Sequence, residues 1–265
     1  MSEQLMVKTI QFSPIHKMVE KYVDINNFDN KFHIISGPCA VEDAEQMEKI
    51  AKVLVKNNLK IIRGGLFKPR TSPYAFQGLQ QNGYKLLKDV CEKYSLINVS
   101  EILDTRDVEE AINYIDIIQI GSRNMHNTSL LKEVGKTNKV ILLKRGMMST
   151  LKEFLLAAEY IVSSGNRNVI LCERGIRTFE DSTRNTLDIS SVAIIKRETT
   201  LPVIVDLSHS LGRKDILLPV SKAVKALGAD GLMIEVHSNP SKALSDEKQQ
   251  LSIEEFQNFY EEFQD

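Results

Sequence analysis

Eight short runs rich in Ile and Val, alternating with stretches of helical period, predict an α/β chain folded as a (β/α)8 TIM barrel. Two further observations favour the closed barrel over an open, doubly wound sheet. The chain has 265 residues, close to the roughly 250 that one such barrel takes. Polar, chemistry-bearing residues also follow nearly every apolar run. A barrel assembles its site from all the strand C-terminal ends, whereas an open sheet gathers ligand residues at a few switch-point loops.

Taken in order, residues 1–30 carry one short β-like patch, Val7 to Phe12, and an amphipathic piece around Ile15 to Val23. That is too little to bury a core of its own. These residues are read as an N-terminal extension packed on a catalytic barrel of residues 31–265. The strand candidates are Phe32–Ser36, Lys60–Arg63, Leu96–Leu103, Ile115–Ile120, Val140–Lys144, Val169–Glu173, Pro202–Leu207 and Gly231–Val236. They are near-continuously apolar, as parallel strands covered on both faces must be. After the first, Met47, Ile50, Ala51, Leu54 and Val55 line one helical face, with Asp43 and Gln46 as its N-terminal cap. After the fifth, Thr150 and Glu153 form a capping box, and Leu151, Phe154, Leu155, Ala158 and Ile161 form the stripe. The seventh helix is expected from Lys214 to Leu227, stopped by Gly228. The last begins near Ser252 and carries Phe256, Phe259 and Phe263.

Composition narrows the function. At 42% hydrophobic and 26% charged residues the chain is ordinary for a soluble globular protein. A net charge of -1 gives no general attraction to nucleic acid or anionic membrane, so any basic site is local. No apolar run approaches the ~18 residues of a membrane span, and the start lacks a basic-then-apolar secretory pattern. Cys39, Cys91 and Cys172 are far apart and odd in number, which argues against a disulfide framework and for a reducing cytoplasm. Cys91, in step with Leu87, Val90 and Tyr94, reads as helix core, and Cys172 as barrel filling. There is no P-loop, no G-x-G-x-x-G after a strand and no G-x-S-x-G elbow. Nucleotide-dependent transfer and serine hydrolysis lose their support.

Two sets of residues stand at the strand ends. Arg63, Lys68, Arg70, Arg123, Lys144 and Arg174 are cations that a barrel would bring to one mouth. There they would repel one another unless a polyanion sat among them. The second set, Cys39, His209, Glu235 and Asp246, offers thiolate, imidazole and carboxylate to Mn²⁺, Fe²⁺, Co²⁺ or Zn²⁺. Spacing alone does not single these four out, and His237 or His126 serves equally well as a candidate ligand on that ground.

The ordered motifs are more specific. Gly37-Pro38-Cys39, Lys68-Pro69-Arg70-Thr71-Ser72-Pro73, Gly121-Ser122-Arg123-Asn124, Leu143-Lys144-Arg145-Gly146, Cys172-Glu173-Arg174-Gly175-Ile176-Arg177-Thr178-Phe179, Asp206-Leu207-Ser208-His209-Ser210 and Ile234-Glu235-Val236-His237 follow one another along the chain. Together they resemble 3-deoxy-D-arabino-heptulosonate 7-phosphate (DAHP) synthase, type I, beta subtype, over roughly residues 30 to 260. The resemblance implies condensation of phosphoenolpyruvate with erythrose 4-phosphate at the entry to the shikimate pathway of aromatic amino acid biosynthesis. By the same resemblance, Arg123, Lys144 and Arg174 would hold the phosphoenolpyruvate phosphate, and Arg63 and Lys68 its carboxylate and reacting end. Arg70 and Thr71 would bind the aldose phosphate, and Cys39, His209, Glu235 and Asp246 one divalent metal, with Mn²⁺ favoured. Lys68, Arg63 and Glu101 would be the catalytic residues, although Glu101 receives no particular role.

The resemblance also implies a homotetramer, and leaves room for regulation by a separate protein. About thirty residues before the first strand hold neither of the regulatory domains common in such proteins, so no feedback inhibition through a fused domain is expected. The nearest rival is 3-deoxy-D-manno-octulosonate 8-phosphate synthase, which uses arabinose 5-phosphate. Its members carry Lys-Ala-Asn-Arg where this chain has Lys68-Pro69-Arg70. A non-catalytic barrel that senses sugar phosphates is the remaining alternative, and completeness of both residue sets argues against it.

Overall fold

Strand alternation settles what fills the barrel and what crowns it. The computed structural model describes residues 32–70 and 72–265, so the expected N-terminal extension and Thr71 lie outside the described residues. The strands are β1 (His33–Gly37), β2 (Ile61–Arg63), β3 (Ile97–Ile102), β4 (Ile117–Ile120), β5 (Val140–Lys144), β6 (Val169–Glu173), β7 (Val203–Asp206) and β8 (Gly231–Glu235). Each pairs in parallel with the next, and β8 returns to β1, closing the (β/α)8 barrel. Every boundary falls within two residues of the sequence expectation.

Side chains of alternate residues point inward. Ile35, Ile61, Ile97, Val99, Ile117, Val140, Leu142, Ile170, Cys172, Ile204 and Met233 pack there as one buried cluster. Opposite parity supplies Ile34, Ile62, Ile118, Ile141, Leu143, Leu171, Val203, Val205 and Leu232 to a second core, under the helices. Cys172 thus fills the barrel, Cys91 lies in the helix-side core, and all three cysteines are free and buried.

The helical layer comprises α1 (Ala44–Lys56), α2 (Tyr84–Tyr94), α3 (Val108–Ala111), α4 (Thr128–Gly135), α5 (Leu151–Ser163), α6 (Ile189–Glu198), α7 (Leu207–Leu211), α8 (Leu217–Ala226) and α9 (Ile253–Gln264). Asp43 caps α1 by accepting from the Gln46 N–H, while the Gln46 side chain reaches back to the Glu42 N–H. Val53, not Val55, completes the buried stripe of α1, and Val55 is exposed. Thr150–Glu153 on α5 and Ser252–Glu255 on α9 are reciprocal capping boxes. α8 starts at Leu217 rather than Lys214. Pro219 lacks an N–H to donate, and is tolerated only in a first turn.

The short helix α7 was not anticipated from the sequence, which ended the seventh strand at Leu207 and assigned no helix to Ser208–Leu211. The Asp206 side chain accepts from the His209 N–H at 3.0 Å and starts a helical turn, which Gly212 stops in the left-handed region.

Gly37, at the top of β1, has φ +152°, and a Cβ there would overlap the Arg63 carbonyl of β2. Its absence lets the two strands converge just below Cys39 and Lys68. Gly37→Ala is expected to cost ~3 kcal/mol through overpacking and to lower the Tm by about 5–10 °C. Thermal unfolding followed by circular dichroism checks this, and an unshifted Tm would show that the strands part easily.

Candidate active site

The inward parity that fills the barrel with apolar side chains continues upward into charged ones. Above Ile61 comes Arg63, above Val99 comes Glu101, above Ile117 comes Gln119, and above Leu142 comes Lys144. Cys172 is followed by Arg174, Ile204 by Asp206, and Met233 by Glu235. Charged groups on an apolar floor keep their charge only with partners. Arg63 meets Glu235 and Lys144 meets Asp206, and all four side chains are nearly or fully buried.

On the β1–β8 side, Cys39, His209, Glu235 and Asp246 converge so that one ligand atom from each lies within 4.8 Å of the others. Cys39 is carried past β1 by an extra parallel bridge, Ala40 to Gly65. Its N–H donates to Gln250 Oε1 at 2.9 Å, and Lys68 Nζ lies 2.9 Å from its sulfur. His209 Nε2 faces Glu235 at 3.5 Å and Asp246 at 3.7 Å. Asp246 sits at φ +48°, a left-handed conformation that aspartate tolerates. The other edge of the cluster is closed by Arg184, 3.2 Å from Asp246, and by Gln249, which donates to Glu235.

Protonation states suit a cation here. Burial opposes ionisation of Glu235, yet His209 and Arg63 hold its carboxyl well below the usual range. Burial and the Glu235 charge push Asp246 up, but Arg184 and His209 outweigh them and it too is lowered. Burial depresses His209 and so favours the neutral imidazole that ligates metals. The Cys39 thiol is pushed up to about 11, first by burial and then by Glu235. A divalent ion among these donors would displace that proton. The mixed S, N and O set therefore fits a transition-metal dication without specifying which one.

Beside this cluster opens a cavity of about 500 Å³, into which Arg63, Lys68, Arg70, Arg123, Lys144 and Arg174 all project. The structure thus brings together every described cation of the first sequence set. Arg123 makes no ion pair among the described residues, and burial depresses Arg174. Both are poised for an anion. For Lys68, burial opposes the charge, but Cys39 and Glu235 more than compensate, so the ammonium is retained. Glu101 is raised by burial despite Lys68 and Lys144 nearby. Its Oε2 accepts from Gln119 at 3.1 Å, and Oε1 sits where a Cβ on Gly121 would fall.

Several residues that line the cavity or hold its lining in place received no role from the sequence. Gln119 and Asp206 were readable from strand parity, since each stands two residues above a barrel-filling side chain. Arg177, Arg184 and Asn185 come from the long β6–α6 loop, where no periodicity marks them. His126 bonds Ser149 Oγ and His237 contacts Glu42 and Gln46, so neither of these alternative ligands joins the cluster.

The family profile described as "DAHP synthetase I family" matches residues 18–265. The chain is 52% identical over 239 residues to phospho-2-dehydro-3-deoxyheptonate aldolase of Thermotoga maritima, covering 90% of this chain and 71% of that one. It is 32% identical over 242 residues to 2-dehydro-3-deoxyphosphooctonate aldolase of Syntrophotalea carbinolica, covering 84% of this chain and 86% of that one. The crystal structure of the Thermotoga maritima aldolase (DAHP synthase) superposes with a TM-score of 0.85 at 52% identity, covering 88% of this chain and 68% of that one. A truncated form of 3-deoxy-D-arabino-heptulosonate 7-phosphate synthase from the same organism gives 0.81 at 48% identity, covering 88% and 85%.

The donor set predicts uptake of one divalent cation per chain. Cys39→Ala should weaken it by about tenfold or more, measured by equilibrium dialysis against Mn²⁺. Unchanged affinity would remove the thiol from the ligand set.

Proposed function

The chain belongs to the DAHP synthetase I family, and from that premise we propose that it joins phosphoenolpyruvate, erythrose 4-phosphate and water into 3-deoxy-D-arabino-heptulosonate 7-phosphate, releasing phosphate. The observation that carries this reading is the single cavity into which Arg63, Lys68, Arg70, Arg123, Lys144 and Arg174 project beside the Cys39–His209–Glu235–Asp246 cluster. Such a mouth suits two phosphorylated substrates, one of them also a carboxylate, held next to a Lewis acid.

In this reading Arg123, Lys144 and Arg174 bind the phosphate of phosphoenolpyruvate, while Arg63 and Lys68 face its carboxylate and reacting end. Arg70, with Thr71, takes the aldose phosphate. Arg70 lies at the outer side of the cavity, where its Nη1 reaches the Leu244 carbonyl at 3.5 Å. Fixing both substrates by their anionic groups converts a bimolecular encounter into a reaction within one site. The divalent ion, when bound, would polarise the aldehyde carbonyl.

C3 of the enol attacks the aldehyde carbon, and the oxygen formed needs a proton. Lys68 supplies it, because its retained ammonium makes it a donor rather than a base. Positive character at C2 is then captured by water. Glu101, with its raised carboxyl range, is the group proposed to take the proton from that water. Phosphate departs with cleavage of the C–O bond. The guanidinium groups stabilise charge throughout without changing protonation.

Lys68→Ala is expected to lower kcat by about a thousandfold while leaving thermal unfolding unchanged. Near-wild-type turnover would take Lys68 out of its role. Phosphate release should require erythrose 4-phosphate, should be at least about tenfold slower with arabinose 5-phosphate, and should stop on chelation. Preference for arabinose 5-phosphate would move the chain to the octulosonate reaction. No release with either aldose would reduce it to a binding barrel.

A further inference from the structure

One carboxylate oxygen stands between the two halves of the mouth. Asp206 is fully buried at the end of β7, and its Oδ2 touches both Lys144 Nζ and His209 Nδ1, the latter at 2.9 Å. Its other oxygen, Oδ1, is occupied separately, accepting from the His209 N–H at the start of α7. Lys144 Nζ donates a hydrogen bond to Oδ2. Against His209 the 2.9 Å approach does not make a well-formed hydrogen bond, and Nδ1 is buried with no other acceptor among the described residues. Lys144 projects into the anion cavity, whereas His209 turns Nε2 towards Glu235 and Asp246.

We propose that Asp206 is a positioning residue that couples the anion half of the site to the metal half by sharing Oδ2 between Lys144 and His209. This rests on the reading of the two halves given above. When an anionic phosphate engages Lys144, the ammonium is drawn towards the ligand and releases Oδ2. The oxygen can then align with His209 Nδ1–H. A histidine that donates Nδ1–H to a carboxylate is a stronger metal ligand through Nε2. By linkage, metal at Nε2 strengthens the grip on Oδ2 and frees Lys144 for the anion to the same extent.

The test is a set of Mn²⁺ titrations, read from the electron paramagnetic resonance of the free ion, with and without saturating phosphoenolpyruvate. No turnover is involved. In the wild-type chain the enol phosphate should tighten Mn²⁺ by roughly tenfold. Asp206→Asn keeps an oxygen for the α7 cap but presents an amide nitrogen that accepts from neither Lys144 nor His209. Anion-free Mn²⁺ affinity should then fall by about 10–100-fold, and the enhancement should shrink below about twofold.

Lys144→Gln and Arg123→Gln remove the same charge from the same cavity, but only Lys144 touches Asp206. The first should abolish the enhancement and the second should retain it. If Asp206→Asn does not fold, this pair decides alone. A tenfold enhancement surviving in Asp206→Asn or Lys144→Gln, or lost equally in Arg123→Gln, overturns the proposal. Wild-type chain that binds both ligands without mutual effect also overturns it, and leaves the reaction assignment standing. Failure to bind Mn²⁺ or phosphoenolpyruvate at all would overturn that assignment and the coupling together.

Discussion

The site depends on a constraint of electrostatics: charges set on a dry apolar floor must find opposite charges, or they do not stay charged. Cys172, Ile204 and Met233 form part of that floor, and Arg174, Asp206 and Glu235 stand directly above them. These side chains are almost wholly buried, and Arg63 leans on Glu235 and Lys144 on Asp206. Burying such pairs is expensive and contributes little net stability. Their presence is better understood as preorganisation, in which donors are already dehydrated and aimed before substrate arrives.

The fold was largely legible in the sequence because parallel barrels obey one rule at every strand. Runs such as Val140–Lys144 and Val169–Glu173 are apolar on both faces and end in charge, so their limits coincide with the observed strands. Helix starts were legible where capping is local, as at Thr150 and Ser252. α7 was not, because a single turn has no periodicity to read and is set by one Asp206 oxygen. The start of α8 was placed three residues early, at Lys214, because no side-chain cap marks the true start at Leu217.

The site divides along the same line. Residues on strands, such as Arg63, Lys144 and Glu235, could be placed from parity, and the structure puts them where parity requires. Residues on loops could not. Arg184 and Gln249 meet across a gap of sixty-five residues to close the edge of the acidic cluster, and no local pattern announces that meeting. Asp246 was legible only coarsely, as an acid on the loop after the last strand. Its position follows from contacts that hold its loop down, including the Glu42 carboxylate, which accepts from the Leu244 N–H at 2.8 Å.

The parallel bridge between Ala40 and Gly65 adds one rung to the sheet above β1 and β2. That rung fixes the Cys39 sulfur and the Lys68 ammonium in a common frame, whereas Arg70 lies beyond it, on a loop tied back by the Lys68 N–H to the Gln77 carbonyl. One connection thereby carries both a base pinned to the sheet and a tip that lies outside it. The Ala40–Gly65 rung involves no residue from Pro69 onward. A side chain added at Gly65 would press on the Cys39 carbonyl and the Lys68 stem together, whereas a change at Arg70 acts outside that shared frame.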